Sequence, residues 1–189
     1  MTSSPRRLVV GMSGSSAPQL GIKLLEVLHR LRTVETHLVL TEGAKLTIKL
    51  ETSHDPDAVA TLADVVHDNN NLAAAISSGS FLTMGMVVVP CSMRSLASIA
   101  AGTSTDLLTR AADVTLKERR PLILVTRETP LSLIHLRNME TVTLAGGTIL
   151  PPMPAFYHHP ESIDDLLAQT TGKVLDQFRI EHELFRRWD

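Results

Sequence analysis

A chain of 189 residues with a net charge of -2 is long enough to bury a core of ordinary domain size. Its near-neutral balance gives no electrostatic case for nucleic acid, and aromatic residues, at 3%, are too scarce for a base-stacking surface. The one cysteine, Cys91, excludes an internal disulfide and suits a reducing compartment. The apolar stretch after Arg6-Arg7 ends at Ser13-Gly14, too soon for a signal peptide, and no run is long enough to span a bilayer, so a cytoplasmic protein without membrane association is expected.

In chain order, Arg7 to Met12 (RLVVGM) reads as a short buried strand. SGSSAPQLG follows, then a helix whose Leu20, Leu24, Leu25 and Leu28 fall on one face. Val34 to Leu40 is a second strand, with Glu35 and His37 on alternate positions, and a helix over Glu42 to Glu51 comes next. Two strands joined by a helical crossover imply a parallel sheet. A short helix is expected over Asp57 to Val65, a loop at Asn69-Asn70-Asn71, and a strand over Met84 to Val89 ended by Pro90-Cys91-Ser92. Helices over Ser95 to Ala101 and Asp106 to Arg119 precede the apolar strand Leu122 to Val125. Pro130 is placed as the start of a helix through Leu133, Leu136 and Met139. A last strand, Thr148 to Leu150, the proline-rich Pro151 to Pro160, and a helix from Glu161 to about Gln177 complete the chain. The alternation predicts an α/β fold, a Rossmann-like (flavodoxin-like) three-layer sandwich on a parallel sheet. It forms one domain over 1–189, with 1–6 and 181–189 as tails.

Several stretches carry candidate chemistry. The loop Ser13 to Pro18, between strand and helix, is the natural phosphate site, because small residues admit a phosphate to backbone N–H groups at a helix N-terminus. Gly14 is placed to take a positive φ, and Ser13, Ser15 and Ser16 offer hydroxyls; an ordinary turn with a capping serine fits the spacing equally well. In Arg110 to Glu128, Arg110 and Lys117 lie seven residues apart on one helix face, and the next strand delivers Arg127 and Glu128 at its carboxyl end. Convergence of these groups would suit an anionic ligand; a charged surface helix before a core strand is the plainer alternative. Cys91, ending a core strand, reads as packing rather than as a nucleophile. Tyr157 is either an anchor or a ligand-facing hydroxyl. G-x-S-x-G and H-E-x-x-H are both absent, which argues against hydrolase and metal chemistry.

The pieces VETHLVL, AAISSGSF, MVVVPCSMRSLASI, LLTRAADVTLKERRPLILVTRETPLS, IHLRNM, PPMPAFYHHP and VLDQF, in that order, resemble the UbiX-type flavin prenyltransferases from Leu8 to Trp188. The group includes the B subunits of hydroxyarylic acid decarboxylase systems. The resemblance implies transfer of a dimethylallyl group from dimethylallyl monophosphate to N5 and C6 of reduced FMN, with no metal. The prenylated FMN goes to a UbiD-type decarboxylase, and the assembly is a homo-oligomer, a homododecamer with active sites between subunits. It places FMN contacts on Gly14, Ser15, Ser16, Thr41, Ser92, Met93, Arg94, Ser95 and Arg127. Prenyl-phosphate contacts fall on Tyr157 and on Lys173, the latter where the family commonly has arginine. It lines the active site with Glu128, Ser16, Glu51, Lys117 and Arg110, cations holding the phosphate and Glu128 relaying a proton. The family loop usually reads G-A-S-G-A; here Ala17 stands for its second glycine and Pro18 for the next alanine. A positive φ at Ala17 would cost on the order of 1 kcal/mol. Two other readings are an FMN-binding accessory protein without prenyl transfer and a flavin-dependent cysteine decarboxylase. The latter's P-x-M-N-x-x-M-W signature is not present.

Overall fold

In a computed structural model that describes residues 6–188, the apolar runs become a six-stranded parallel sheet of order β3-β2-β1-β4-β5-β6. Its strands are β1 (Arg7–Met12), β2 (Glu35–Leu40), β3 (Val65–His67), β4 (Gly85–Cys91), β5 (Leu122–Thr126) and β6 (Thr148–Ile149). β1, β4 and β5 are buried almost throughout, which is why they read as continuous apolar segments rather than alternating ones. The helices α1 (Gln19–Leu31), α2 (Glu42–Glu51), α3 (Pro56–Ala60) and α7 (Ile163–Gln177) pack on one face. There, Leu24, Leu28, Ile48, Val59 and Leu175 meet Leu8, Val10, Leu38, Val87 and Val125. The opposite face carries α4 (Met93–Ala100), α5 (Leu107–Lys117) and α6 (Leu133–Leu144), with Leu96, Leu108 and Val142 against Val9, Val39, Val88 and Leu124. This is the expected three-layer α/β sandwich.

Four local expectations are corrected. The helix expected over 57–65 ends at Ala60, and β3 follows it as an edge strand. Asp55 caps α3 through the Asp57 N–H, with Pro56 in the first turn. Asp64 then clasps β2: its carboxylate accepts the Thr36 N–H and hydroxyl, both at 2.8 Å, and the Thr36 hydroxyl accepts the Asp64 N–H. β4 continues through Pro90 to Cys91, because the missing N–H falls where the β4–β5 register shifts between Val88 and Cys91. α4 begins at Met93 rather than Ser95, with Ser92 as its N-cap. α6 begins at Leu133, not at Pro130, because Ser132 and His135 form a reciprocal capping box. Val142 is buried and Met139 packs partly against the core, but Leu133, Ile134, Leu136 and Leu144 are exposed among the described residues.

Residues 182–188, expected in a tail, fold back on α7: Asp176 accepts from His182 and Arg187, and Phe185 lies against Gly172. Of the tail residues, 1–5 and 189 lie outside the described ones. No helix among the described residues is long and apolar enough to cross a membrane.

Candidate functional site

Strand order reverses between β1 and β4, and a parallel sheet opens a crevice beyond the carboxyl ends of its strands at such a point. The loop Ser13 to Pro18 occupies it. Ser13, almost fully buried, joins the two strand ends: its hydroxyl donates to the Pro90 carbonyl at 3.1 Å and accepts the Ser92 N–H at 2.8 Å. The Ser15 hydroxyl donates to the Arg127 carbonyl at 2.8 Å, tying the loop to the end of β5. These two hydroxyls therefore hold the loop in place rather than offering themselves to a ligand. Among the described residues, the Gly14 and Ser16 N–H groups have no intramolecular acceptor. Around them stand the N-termini of α1, α2 and α4, the last two capped by Thr41 and Ser92. N–H groups without an acceptor and three positive dipole ends make a candidate anion site, chemistry that suits a phosphate such as that of FMN.

Gly14 does not take the positive φ foreseen for it. Its need for glycine is close approach: a Cβ there would lie 2.8 Å from the Gly43 Cα, in the first turn of α2. The positive φ falls on Ala17, at 68°. Glu51 compensates: its carboxylate accepts both the Ala17 N–H and the Ser16 hydroxyl at 2.9 Å, while Gln19 Nε2 donates to the Glu51 carbonyl. Thus Ser16 and Glu51, each placed by the resemblance in the active-site lining, meet directly, and Gln19 is a support that no sequence signal marked. Replacing Ala17 by glycine removes about 1–2 kcal/mol of left-handed strain and adds about 0.4–1 kcal/mol of unfolded-chain entropy. Ala17→Gly is therefore expected to stabilise the protein slightly, seen as a higher urea midpoint at fixed protein concentration; a lower midpoint would contradict the strain.

Arg127 enters the same crevice, its N–H on the Cys91 carbonyl at 3.3 Å, and Glu128 beside it is exposed with one oxygen on the Thr129 N–H. Met93 and Ser95 are the first turn of α4, where the Ser95 N–H caps onto Ser92, and Arg94 is exposed. A cavity of 260 Å³, walled by Ala17, Leu20, Arg127, Pro152, Pro154 and Leu167, adjoins the loop. Cys91 is packing: full burial pushes its thiol up to about 12, so no thiolate forms near neutral pH.

Four further predicted residues are Tyr157, Lys173, Arg110 and Lys117. Lys173 lies on α7 one turn beyond Thr170 of the 260 Å³ cavity, about 4.5 Å along the helix, 3.7 Å from Asp176, whereas Tyr157 lines a separate cleft with His159, Arg186, Arg187 and Trp188. Arg110 and Lys117 do share a face of α5, but α5 runs back along the sheet, so about 10 Å of axis separates them. Arg110 is held by Asp113 at 2.7 Å and the Ser77 carbonyl at 3.2 Å. Lys117 pairs with Glu118 near Gly79, at the end of the sheet away from the crevice. Among the described residues, Lys117 therefore does not converge with Arg127 and Glu128 within one chain.

The flavoprotein family profile matches residues 1–175. Flavin prenyltransferase UbiX of Escherichia coli K12 is 52% identical over 185 residues, 97% of this chain and 98% of the relative. The chain belongs to the UbiX-type flavin prenyltransferase family. A structure of AnUbiX (PadA1) in complex with FMN and dimethylallyl pyrophosphate shares 55% identity and a TM-score of 0.96, covering 98% of each chain. A dodecameric FMN-dependent UbiX-like decarboxylase from Escherichia coli O157:H7 shares 52% identity and a TM-score of 0.95, over 97% of this chain and 99% of its own.

Proposed function

We propose that this protein is a flavin prenyltransferase that joins a dimethylallyl group, from a dimethylallyl phosphate, to N5 and C6 of reduced FMN. Membership of the family along the whole chain carries this reading, and the candidate anion site at the sheet's switch point supports it. Gly14, Ser16, Thr41 and Ser92 to Ser95 would hold the flavin phosphate and ribityl chain, with Arg127 beside them. FMN supplies the nucleophilic ring; the protein's part is to orient it, neutralise the departing phosphate and move one proton. Glu128, exposed at the end of β5, is assigned the proton relay, and Ser16, held by Glu51, is assigned to the flavin edge. Tyr157, Lys173, Arg110 and Lys117 are assigned to the donor phosphate, dimethylallyl monophosphate being the simplest donor.

Because Lys117 lies at the end of the sheet away from the crevice in its own chain, the reading calls for a homo-oligomer in which neighbouring copies complete each site; we propose a dodecamer. The exposed leucines and isoleucine of α6 are the apolar surface available for such contacts. The product would go to a UbiD-type decarboxylase in the cytosol. Incubating the purified protein with reduced FMN and dimethylallyl monophosphate should yield a flavin heavier by one prenyl group in the mass spectrum. Recovery of unchanged FMN alone, with the diphosphate donor as well, would rule the reading out.

A further inference from the structure

The β3 edge of the sheet holds a hydrogen-bonded pair of histidines that no step assigned above uses. His37 of β2 is buried, and its Nδ1 lies 2.9 Å from the Nε2 of His67 in β3, the rings stacked at 5.2 Å. The other His37 nitrogen, Nε2, lies 2.7 Å from a Glu35 oxygen, and the Arg7 guanidinium of β1 holds that same oxygen at 3.0 Å. His37 and Arg7, both donating to it, keep the Glu35 carboxyl below its usual value, so it remains an acceptor. His37 therefore donates from Nε2, and its Nδ1 accepts from His67. Among the described residues, the other charges nearby are engaged elsewhere. Asp68, next to His67, accepts the Asn70 N–H. On this face α5 turns Leu108, Ala111 and Ala112 toward the sheet, while its Arg110 pairs with Asp113. Residues 73–83 include no ionisable side chain.

The pair accommodates one added proton: a charged His37 donates from Nδ1 to His67, whose tautomer reverses. It cannot accommodate a second, because both facing nitrogens would then carry hydrogens and two like charges would stand a hydrogen-bond length apart. Burial and the His37 charge both hold the His67 ring below its usual 6.5. Its share of stability is thus present above that pH and lost as pH falls below it. What the pair supports is Phe81, whose ring lies edge-on to His37 at 5.2 Å and beneath the Arg7 guanidinium at 4.6 Å. The segment leading to Phe81 is gripped at its carbonyls. Arg120 donates to Phe81 and Gly79 at 2.9 and 2.6 Å, and Arg110 to Ser77 at 3.2 Å. We propose that His37 and His67 form a proton-operated latch, which when closed seats Phe81 and fixes segment 77–81 against Arg110, and which parts and frees that segment when both rings are charged. The two histidines are positioning residues that act on Arg110 through Phe81 and Ser77. The consequence for the donor phosphate rests on the prenyl-transfer reading; the latch itself does not.

The test is hydrogen–deuterium exchange of the full-length protein, read over residues 74–83 from about pH 8 to about pH 5, the span in which imidazole changes charge. After correction for the pH dependence of chemical exchange, wild type should lose protection there about ten-fold, with β4 unchanged as the internal control. The amide introduced by His67→Gln donates to a neutral ring and, turned over, accepts from a charged one. That variant should stay protected at both extremes, with a KM for dimethylallyl monophosphate at low pH about five-fold below that of wild type. Wild-type protection that ignores pH, an equal loss in β4, or a His67→Gln variant that opens as wild type does would each overturn the latch. Opening at low pH in a protein that makes no prenylated flavin at either pH would sink the prenyl-transfer reading and leave the latch standing. Prenylated flavin from a protein whose segment ignores pH would do the reverse.

Discussion

Gly14→Ala is expected to weaken FMN binding about 100-fold while leaving the fold intact. The added Cβ would stand 2.8 Å from Gly43 Cα and 2.9 Å from its carbonyl carbon, well inside ordinary contact. Nothing flexible is there to give way. Gly43 is backbone in the first turn of α2, whose N-terminus is fixed by the Thr41 side chain on the Ala44 N–H and by the Thr41 N–H on the Met12 carbonyl. The loop must therefore move, and overpacking of this kind costs about 1–3 kcal/mol. With the Gly14 and Ser16 N–H groups, which have no acceptor among the described residues, assigned to the flavin phosphate, a displacement of about 1 Å should be felt mainly in binding, where such misplacement costs about 100-fold. Titration of FMN by flavin fluorescence measures it. Affinity within three-fold of wild type would mean that the Gly14–Gly43 contact relaxes freely and that the loop is not the phosphate site.

How much of this was legible in the sequence depended on the range of the interaction. Buried parallel strands announce themselves by composition, so β1, β2, β4 and β5 were readable to within a residue or two. β3 was not, because none of its three residues is buried, Val66 being exposed, and the strand is held at the edge by Asp64 reaching Thr36, 28 positions away. The resemblance located the loop, and its departure from the family pattern identified Ala17 as the strained position, which the φ of 68° bears out. Periodicity correctly put Arg110 and Lys117 on one face. It says nothing about distance along the axis, and that distance is what removes Lys117 from the crevice. Nor could spacing reveal that Gly14 is required by Gly43, since close approach of two backbones leaves no local signature.

Ser13→Ala tests the contact the sequence hid most completely, one made across 77 positions. The serine was legible as a loop hydroxyl available to a ligand, whereas its oxygen is consumed within the protein. Removing it strands the Ser92 N–H, while the Pro90 carbonyl keeps the Ser13 N–H at 3.2 Å. One buried donor left without a partner costs about 1–3 kcal/mol, so a loss near 2 kcal/mol is expected. It should appear as a lower urea midpoint with an unchanged slope, read at one protein concentration because assembly contributes to apparent stability. A shift below about 0.5 kcal/mol would show that water replaces the hydroxyl. The functional consequence follows from geometry: Ser92 caps α4 through Ser95, so loosening its N–H releases one of the three helix ends that frame the anion site. FMN affinity should fall together with stability in Ser13→Ala. In Ala17→Gly stability should rise instead, because there the left-handed strain is relieved and the Glu51 contact to the backbone N–H of residue 17 is kept.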